Sequence, residues 1–388
     1  MSGLLPFLII LIAGLIFSDI FRRLHLPYVT ALIVAGVIIG PSVLDIIVVD
    51  PAVSFLGTIG VVFLMFIAGS EIKTGSFKAL GRDVFIIAIL NSVMPFLTGF
   101  GLAYFFGFDM FVSLTLGVVF VSSSIAVIIP SLESNDLIKT KVGRLITAST
   151  VMEDILSLIL LAFVLQMFTQ KTPIPLYLYI PAVILLIVGL KILIPKLQKI
   201  YSHGKRAKDR FEGELRFIFT VLIASVILFE FMGMHAIIAG FIIGLILSDS
   251  IKNAIEEKIR TISYGLFIPT FFLIIGIETD FSVFFSNNTL ALTVAIVLGL
   301  VLSKIISGYL GGRIIKLTNK ESLLVGVAST PQLSTTLAAA FVAMEFGLLT
   351  SELVASLVIL SVTTTLFAPM AIKMLASYKD IKQKPGSL

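Results

Sequence analysis

The stretch GRLITASTVMEDILSLILLAF, Gly143–Phe163, is apolar and long enough to cross a bilayer, yet it carries Glu153 and Asp154 at its centre. A helix of about 20 apolar residues spans the hydrocarbon. An ionised carboxylate at that depth costs roughly 2.5–3.5 kcal/mol even on the most lenient insertion scale. Two adjacent acids there are a poor choice for stability alone. Acids at that depth bind or relay cations and protons, or else pair with a buried base on another helix. Lys304, in ALTVAIVLGLVLSKIISGYL (residues 291–310), lies equally deep in a second apolar run and is the candidate base. Whatever the protein does is built on these three groups.

The same apolar character runs the length of the chain. Of its 388 residues, 58% are hydrophobic and 13% charged, against about 25% charged in soluble domains. Long apolar segments alternate with short polar ones, the pattern of an all-α, multi-pass membrane protein. Thirteen spans are expected, at about 4–21, 28–44, 54–70, 84–107, 111–132, 143–168, 175–198, 214–232, 234–248, 262–277, 288–315, 321–345 and 352–375. The first, LLPFLIILIAGLIF, has no basic region before it and no small-residue cleavage site after it, so it reads as a span and not a signal peptide. Cysteine is absent, which excludes disulfides and thiolate metal sites. No nucleotide, haem or catalytic-metal motif is present, so neither a cofactor nor an enzymatic role is expected.

Basic residues set the expected orientation. Of the 28 lysines and arginines, all but Lys171, Lys191 and Lys304 fall on one side of the thirteen-span arrangement. Asp45, Asp50, Asp109, Glu278, Asp280 and Glu352 fall on the other. The positive-inside rule then places the C-terminus in the cytoplasm and the N-terminus outside a cell membrane. The net charge of +5 reflects this sidedness, and no nucleic-acid partner is inferred from it. Loop 199–213 is a linker between the halves of one transmembrane domain covering 1–388. His25, His203, His235 and Glu230 read as interfacial, Glu71 as structural, and the arginines of 205–210 as topology determinants.

An internal repeat is visible. Gly117-Val118 opens a patch with Ser122-Ser123-Ser124 in the fifth span, and Gly326-Val327 opens one with Ser329-Thr330-Pro331-Gln332 in the twelfth, at an offset of 209 residues. The same offset carries Asp154 onto Thr363 and Pro95 onto Lys304. The two units are offset by seven spans, an odd number, so they enter the membrane from opposite sides, as inverted repeats do. Small and hydroxylated residues with Pro130 and Pro331 weaken both helices at mid-membrane, which is tolerated where the backbone lines an enclosed cavity. Serine and threonine are also ordinary helix-packing residues in membranes.

On the sixth span Thr147, Thr150, Asp154 and Ser157 form one helical stripe, which should face the protein interior. Glu153 points about 100° away, toward another element. Hard monovalent cations take oxygen ligands. Asp154 and Glu153, with Ser122, Ser123, Ser124, Thr150 and Gln332 from the patches and their flank, supply the candidate set, and Lys304 is positioned to neutralise whichever acid is empty. A carboxylate held away from water binds a proton and a cation in competition, and that competition suffices to couple their exchange.

Leu26-Pro27-Tyr28 with LIVAGVIIGPSVL (32–44) resembles a signature of the monovalent cation:proton antiporter-2 family, which includes sodium/proton and Kef-type potassium/proton antiporters. GTIGVVFLMFIAGSEI (57–72), HAIIAGFIIGLILSDS (235–250) and IPTFFLIIGIETDF (268–281) resemble its later segments. The resemblance implies a thirteen-helix fold whose fifth and twelfth helices are broken and cross. It also implies a core near 84–168 and 288–375, and a homodimer-forming panel near 4–70 and 175–277. By the same resemblance Asp154 carries the cation and proton, Glu153 takes the preceding position usually held by Asp, Asn or Gln, and Lys304 matches the membrane lysine of electrogenic members. The sequence ends at Leu388 without the Kef-type regulatory domain. That end, with an acid at 153, inclines the expectation to Na+ over K+, with Li+ a further candidate cation. An intramembrane aspartyl protease needs two acids on different helices and a Gly-x-Gly-Asp setting that is missing here. An organic-anion symporter on the same architecture would bind sodium with mostly neutral ligands.

Overall fold

In a computed structural model of the chain, the described residues are 4–23, 28–70, 81–169, 176–203, 212–232, 236–248, 250–251, 253–279 and 287–376. Glu71, His25 and His235 lie outside them, as does most of loop 199–213. Among the described residues all regular structure is helical, and it follows the thirteen expected spans. These are α1 (Leu4–Arg23), α2 (Tyr28–Ile39), α3 (Pro51–Ser70), α4 (Gly81–Phe105), α5 with α6 (Met110–Val121, Ile125–Glu133) and α7 (Lys141–Thr169). The seventh to ninth spans are α8 (Leu176–His203), α9 (Gly213–Phe231) and α10 (Ala236–Leu247). The tenth runs from α11 (Asn253–Ile262) through a π-helical turn to α12 (Ile268–Glu278). The last are α13 (Asn287–Ile314), α14 with α15 (Asn319–Ala328, Ser334–Glu345) and α16 (Ser351–Ala376). Among the described residues nine helical stretches, counting α5–α6 and α11–α12 as one each, are long and apolar enough to cross a membrane.

Two boundaries depart from expectation for identifiable reasons. Helix α2 stops at Ile39, short of residue 44, because Gly40-Pro41 follows and a residue before proline leaves the helical region. The tenth span begins at Asn253, not near 262. Ile255 and Ile259 there are buried while Glu256, Glu257, Lys258 and Arg260 share the other faces. A helix amphipathic in this way needs only one apolar face against the protein.

The helices gather into two compact units. One comprises Met1–Leu11, Val49–Gly75 and Gln166–Ile274. Here α3 lies against α10 so closely that a Cβ on Gly69 would meet Phe241 O at 2.2 Å, and one on Gly244 would meet Phe66 O at 2.1 Å. Small residues permit such backbone approach, on which helix association in lipid depends.

The other comprises Ile12–Val48, Ser76–Leu165 and Ile275–Leu388, and holds all three deep charges. Within it α4 packs on α5 and α13, and α13 on α14. Helix α13 shows how one sequence serves two environments. Leu290, Val294, Leu298, Leu302, Ile306 and Leu310, spaced four apart, are exposed as a lipid-facing stripe. Ile296, Leu300, Lys304 and Ser307 are buried.

Candidate cation and proton site

Helix α5 ends at Val121, and Ser122 takes an extended conformation (φ −65°, ψ 165°). Ser124 caps α6 with φ −88° and ψ 103°. Three consecutive serines offer the backbone alternatives to the helical ladder. The second break follows Ala328, where Pro331 has no N–H and disfavours helix at Thr330. Leu333, at φ −150° and ψ −98°, precedes α15.

The two breaks cross and satisfy one another. Ser124 N donates to Pro331 O at 2.7 Å, and Ser123 Oγ lies 2.8 Å from Ser329 O. Gln332 Nε2 donates to Ser122 O at 2.6 Å, and Ser122 Oγ lies 2.9 Å from Thr336 Oγ1. Backbone groups freed inside a membrane need such partners, since no bulk water can replace them.

Beside the crossing, the adjacent acids of α7 part company. Glu153 Oε2 is 2.9 Å from Lys304 Nζ, and both side chains are wholly buried. Lys304 Nζ also reaches Val121 O at 2.7 Å, Ser123 Oγ at 2.9 Å and Asn91 O at 3.2 Å. Val121 ends α5, where the unpaired carbonyls concentrate negative partial charge. Glu153 further accepts from Asn91 Nδ2 at 3.0 Å and Ser123 Oγ at 2.7 Å. The Ser123 hydroxyl has one proton, so it serves either Glu153 or Ser329 O at a time.

Asp154 is also buried, at 5% exposure, and the Ser123 amide and Thr335 hydroxyl face it. Its Oδ1 has no hydrogen-bond partner among the described residues, and the same holds for the buried Thr150 Oγ1 and Ser124 Oγ. Unpaired buried oxygens are uncommon and invite a functional reading. Here all three are of the type a hard cation ligates. On the predicted α7 stripe, Thr147 and Ser157 bond to their own helix, at Gly143 O and Asp154 O.

Gln332 is engaged at both ends of its amide and at its backbone N. Its Oε1 accepts from Thr336 Oγ1, its Nε2 ties to Ser122, and its backbone N donates to Thr364 Oγ1 at 3.1 Å. The offset from Asp154 lands on Thr363, which is exposed; the neighbouring Thr364 is the residue that faces the second break. Asn91, Ser307, Ser329, Thr335, Thr336 and Thr364 were not singled out in the sequence as site residues. For Asn91 a signal existed, as it is the only side-chain amide in α4.

The sequence model described as sodium/hydrogen exchanger, transmembrane, matches residues 7–378. The chain is 29% identical over 382 residues to a "Probable Na(+)/H(+) antiporter 3" of Methanocaldococcus jannaschii, covering 95% of each chain. It is 26% identical over 376 residues to a "Na(+)/H(+) antiporter" of Enterococcus hirae, covering 94% of this chain and 96% of that one. The solved structure of the sodium proton antiporter MjNhaP1 from M. jannaschii superposes with a TM-score of 0.76 at 19% identity, over 99% of this chain and all of that one. With its matching sequence model covering nearly every residue, the chain belongs to the sodium/hydrogen exchanger transmembrane family.

Proposed function

We propose that the protein exchanges Na+ for H+ by alternating access, with Asp154 as the carrier that holds one or the other. The observation that carries this reading is the contrast within the acid pair. Glu153 is neutralised by Lys304, while Asp154 Oδ1, Thr150 Oγ1 and Ser124 Oγ are buried without partners among the described residues. A sodium ion at Asp154 would gain one full charge and hydroxyl oxygens in a setting of low dielectric, where such interactions are strong. A proton on Asp154 removes the charge that attracts the ion. Ser122, Ser123 and Gln332 shape the crossing that holds the Ser123 amide toward Asp154.

The core near 84–168 and 288–375 moves against the panel near 4–70 and 175–277, carrying the site from one side to the other. The protein works as a homodimer in the cytoplasmic membrane, with its N-terminus outside and its C-terminus in the cytoplasm, as the lysine and arginine distribution favours. Everted vesicles containing the protein and an imposed pH gradient test the activity. Adding Na+ should dequench a pH-sensitive dye, with Li+ and K+ tested separately. No response to Na+, or a response to K+ alone, removes the sodium reading. Monomer alone in mild detergent removes the dimer.

A further inference from the structure

We propose that Asn91 is a positioning residue for exchange, whose side-chain amide holds Glu153 on Lys304 and ties that ion pair to the second helix break through Ser329. The proposal rests on the reading of Asp154 as carrier.

Asn91 is wholly buried in α4 and every polar group on it but the helical N–H is used at the site. Nδ2 donates to Glu153 Oε1 at 3.0 Å and to Ser329 Oγ at 2.7 Å. Oδ1 accepts from Ser307 Oγ at 2.7 Å. Its backbone carbonyl accepts from Lys304 Nζ at 3.2 Å. One residue of α4 therefore touches both members of the ion pair, on α7 and α13, and the end of α14. The amide has one workable orientation. Turned over, it would set its oxygen against the Glu153 carboxylate, with no donor between them.

The reason an amide belongs here is electrostatic. Lys304 feels both acids of α7, and a lysine turned toward Asp154 competes with the cation. Anchoring Glu153 from its far oxygen keeps Lys304 on Glu153 and leaves Asp154 to the cation. A carboxylate at position 91 would repel Glu153, and a small apolar side chain would leave Oε1 without its donor. Ser329 adds the second tie, because its own carbonyl accepts from Ser123 Oγ at 2.8 Å in the first break.

The test uses the full-length protein in proteoliposomes, with Na+-dependent proton flux as readout and membrane insertion checked by gel filtration. Asn91→Ala should raise the apparent KM for Na+ roughly tenfold, the scale of one lost hydrogen bond to a charged group, while maximal rate changes less. Asn91→Asp, nearly isosteric, should be worse than Asn91→Ala, the opposite of what a space-filling role predicts. The exchanged pair Asn91→Asp/Glu153→Gln should recover part of that loss. An Asn91→Ala KM within about twofold of wild type, or Asn91→Asp at least as active as Asn91→Ala, overturns the proposal. If Asn91→Asp does not insert, a double-mutant cycle decides. Asn91→Ala added to Glu153→Ala should change KM less than it does alone, since Glu153→Ala has already removed the acceptor of that bond, and fully multiplicative effects overturn it. Asp154→Asn in the same vesicles keeps the two ideas apart. Residual exchange in that variant sinks the carrier reading, whereas a silent Asp154→Asn beside an unaffected Asn91→Ala sinks only this one.

Discussion

Lys304 Nζ lies 2.9 Å from Glu153 Oε2 in α7, and neither side chain is exposed. The next residue of the same helix, Asp154, has an oxygen with no partner among the described residues. One lysine thus divides two adjacent carboxylates into a neutralised acid and an available one. Side chains at successive helical positions point about 100° apart, which is enough to place the two acids against different neighbours.

Asp154→Asn preserves the shape of the side chain but removes its charge and its capacity to take a proton. Na+-induced dequenching in everted vesicles should be abolished while the protein inserts and folds normally. Exchange near the wild-type rate would sink the assignment of the carrier.

Lys304→Ala leaves Glu153 buried and uncompensated, as breaking a buried pair costs about 3–5 kcal/mol. A lower unfolding temperature in detergent is expected. Glu153→Gln/Lys304→Met, which removes both charges, should regain most of the loss. Exchange that survives Lys304→Ala should be slower and respond less to voltage, each charge moved being worth about 2.3 kcal/mol per 100 mV. An unfolding temperature equal to wild type in Lys304→Ala would contradict the pairing.

Thr150→Ala and Ser123→Ala should both raise the KM for Na+ more than they lower maximal rate, for different reasons. Thr150 Oγ1 has no partner among the described residues to lose, so its removal should leave stability nearly unchanged. Ser123 Oγ contacts Lys304, Glu153 and Ser329 O, and its loss should destabilise by about 1–3 kcal/mol. Thermal unfolding beside transport kinetics separates them; equal stability losses would refute the distinction.

Gly308→Ala tests the packing that brings Lys304 to the breaks. A Cβ there would stand 2.4 Å from Gly326 Cα, a backbone atom that cannot rotate away. Separating α13 from α14 should cost about 1–3 kcal/mol and slow exchange. Normal unfolding temperature and transport in Gly308→Ala would rule out so close a contact.

Much of this was legible in the sequence because burial in hydrocarbon makes polarity conspicuous. Glu153, Asp154 and Lys304 stand out in apolar runs, and the charge split and proline-bearing patches mark thirteen spans with two breaks. Those are one-dimensional signals, each set by what a helix in lipid tolerates. Which acid takes the lysine is not among them, since that depends on Asn91, Val121 and Ser123 converging from two other elements. Nor was the difference between Gln332, engaged at both ends of its amide, and Thr150, whose hydroxyl has no partner among the described residues. Asn91 in an apolar span was visible, but an amide has many partners open to it in a bundle. Hydroxyl and amide side chains bond to whatever packing brings within 3 Å, so their roles are decided only by the fold.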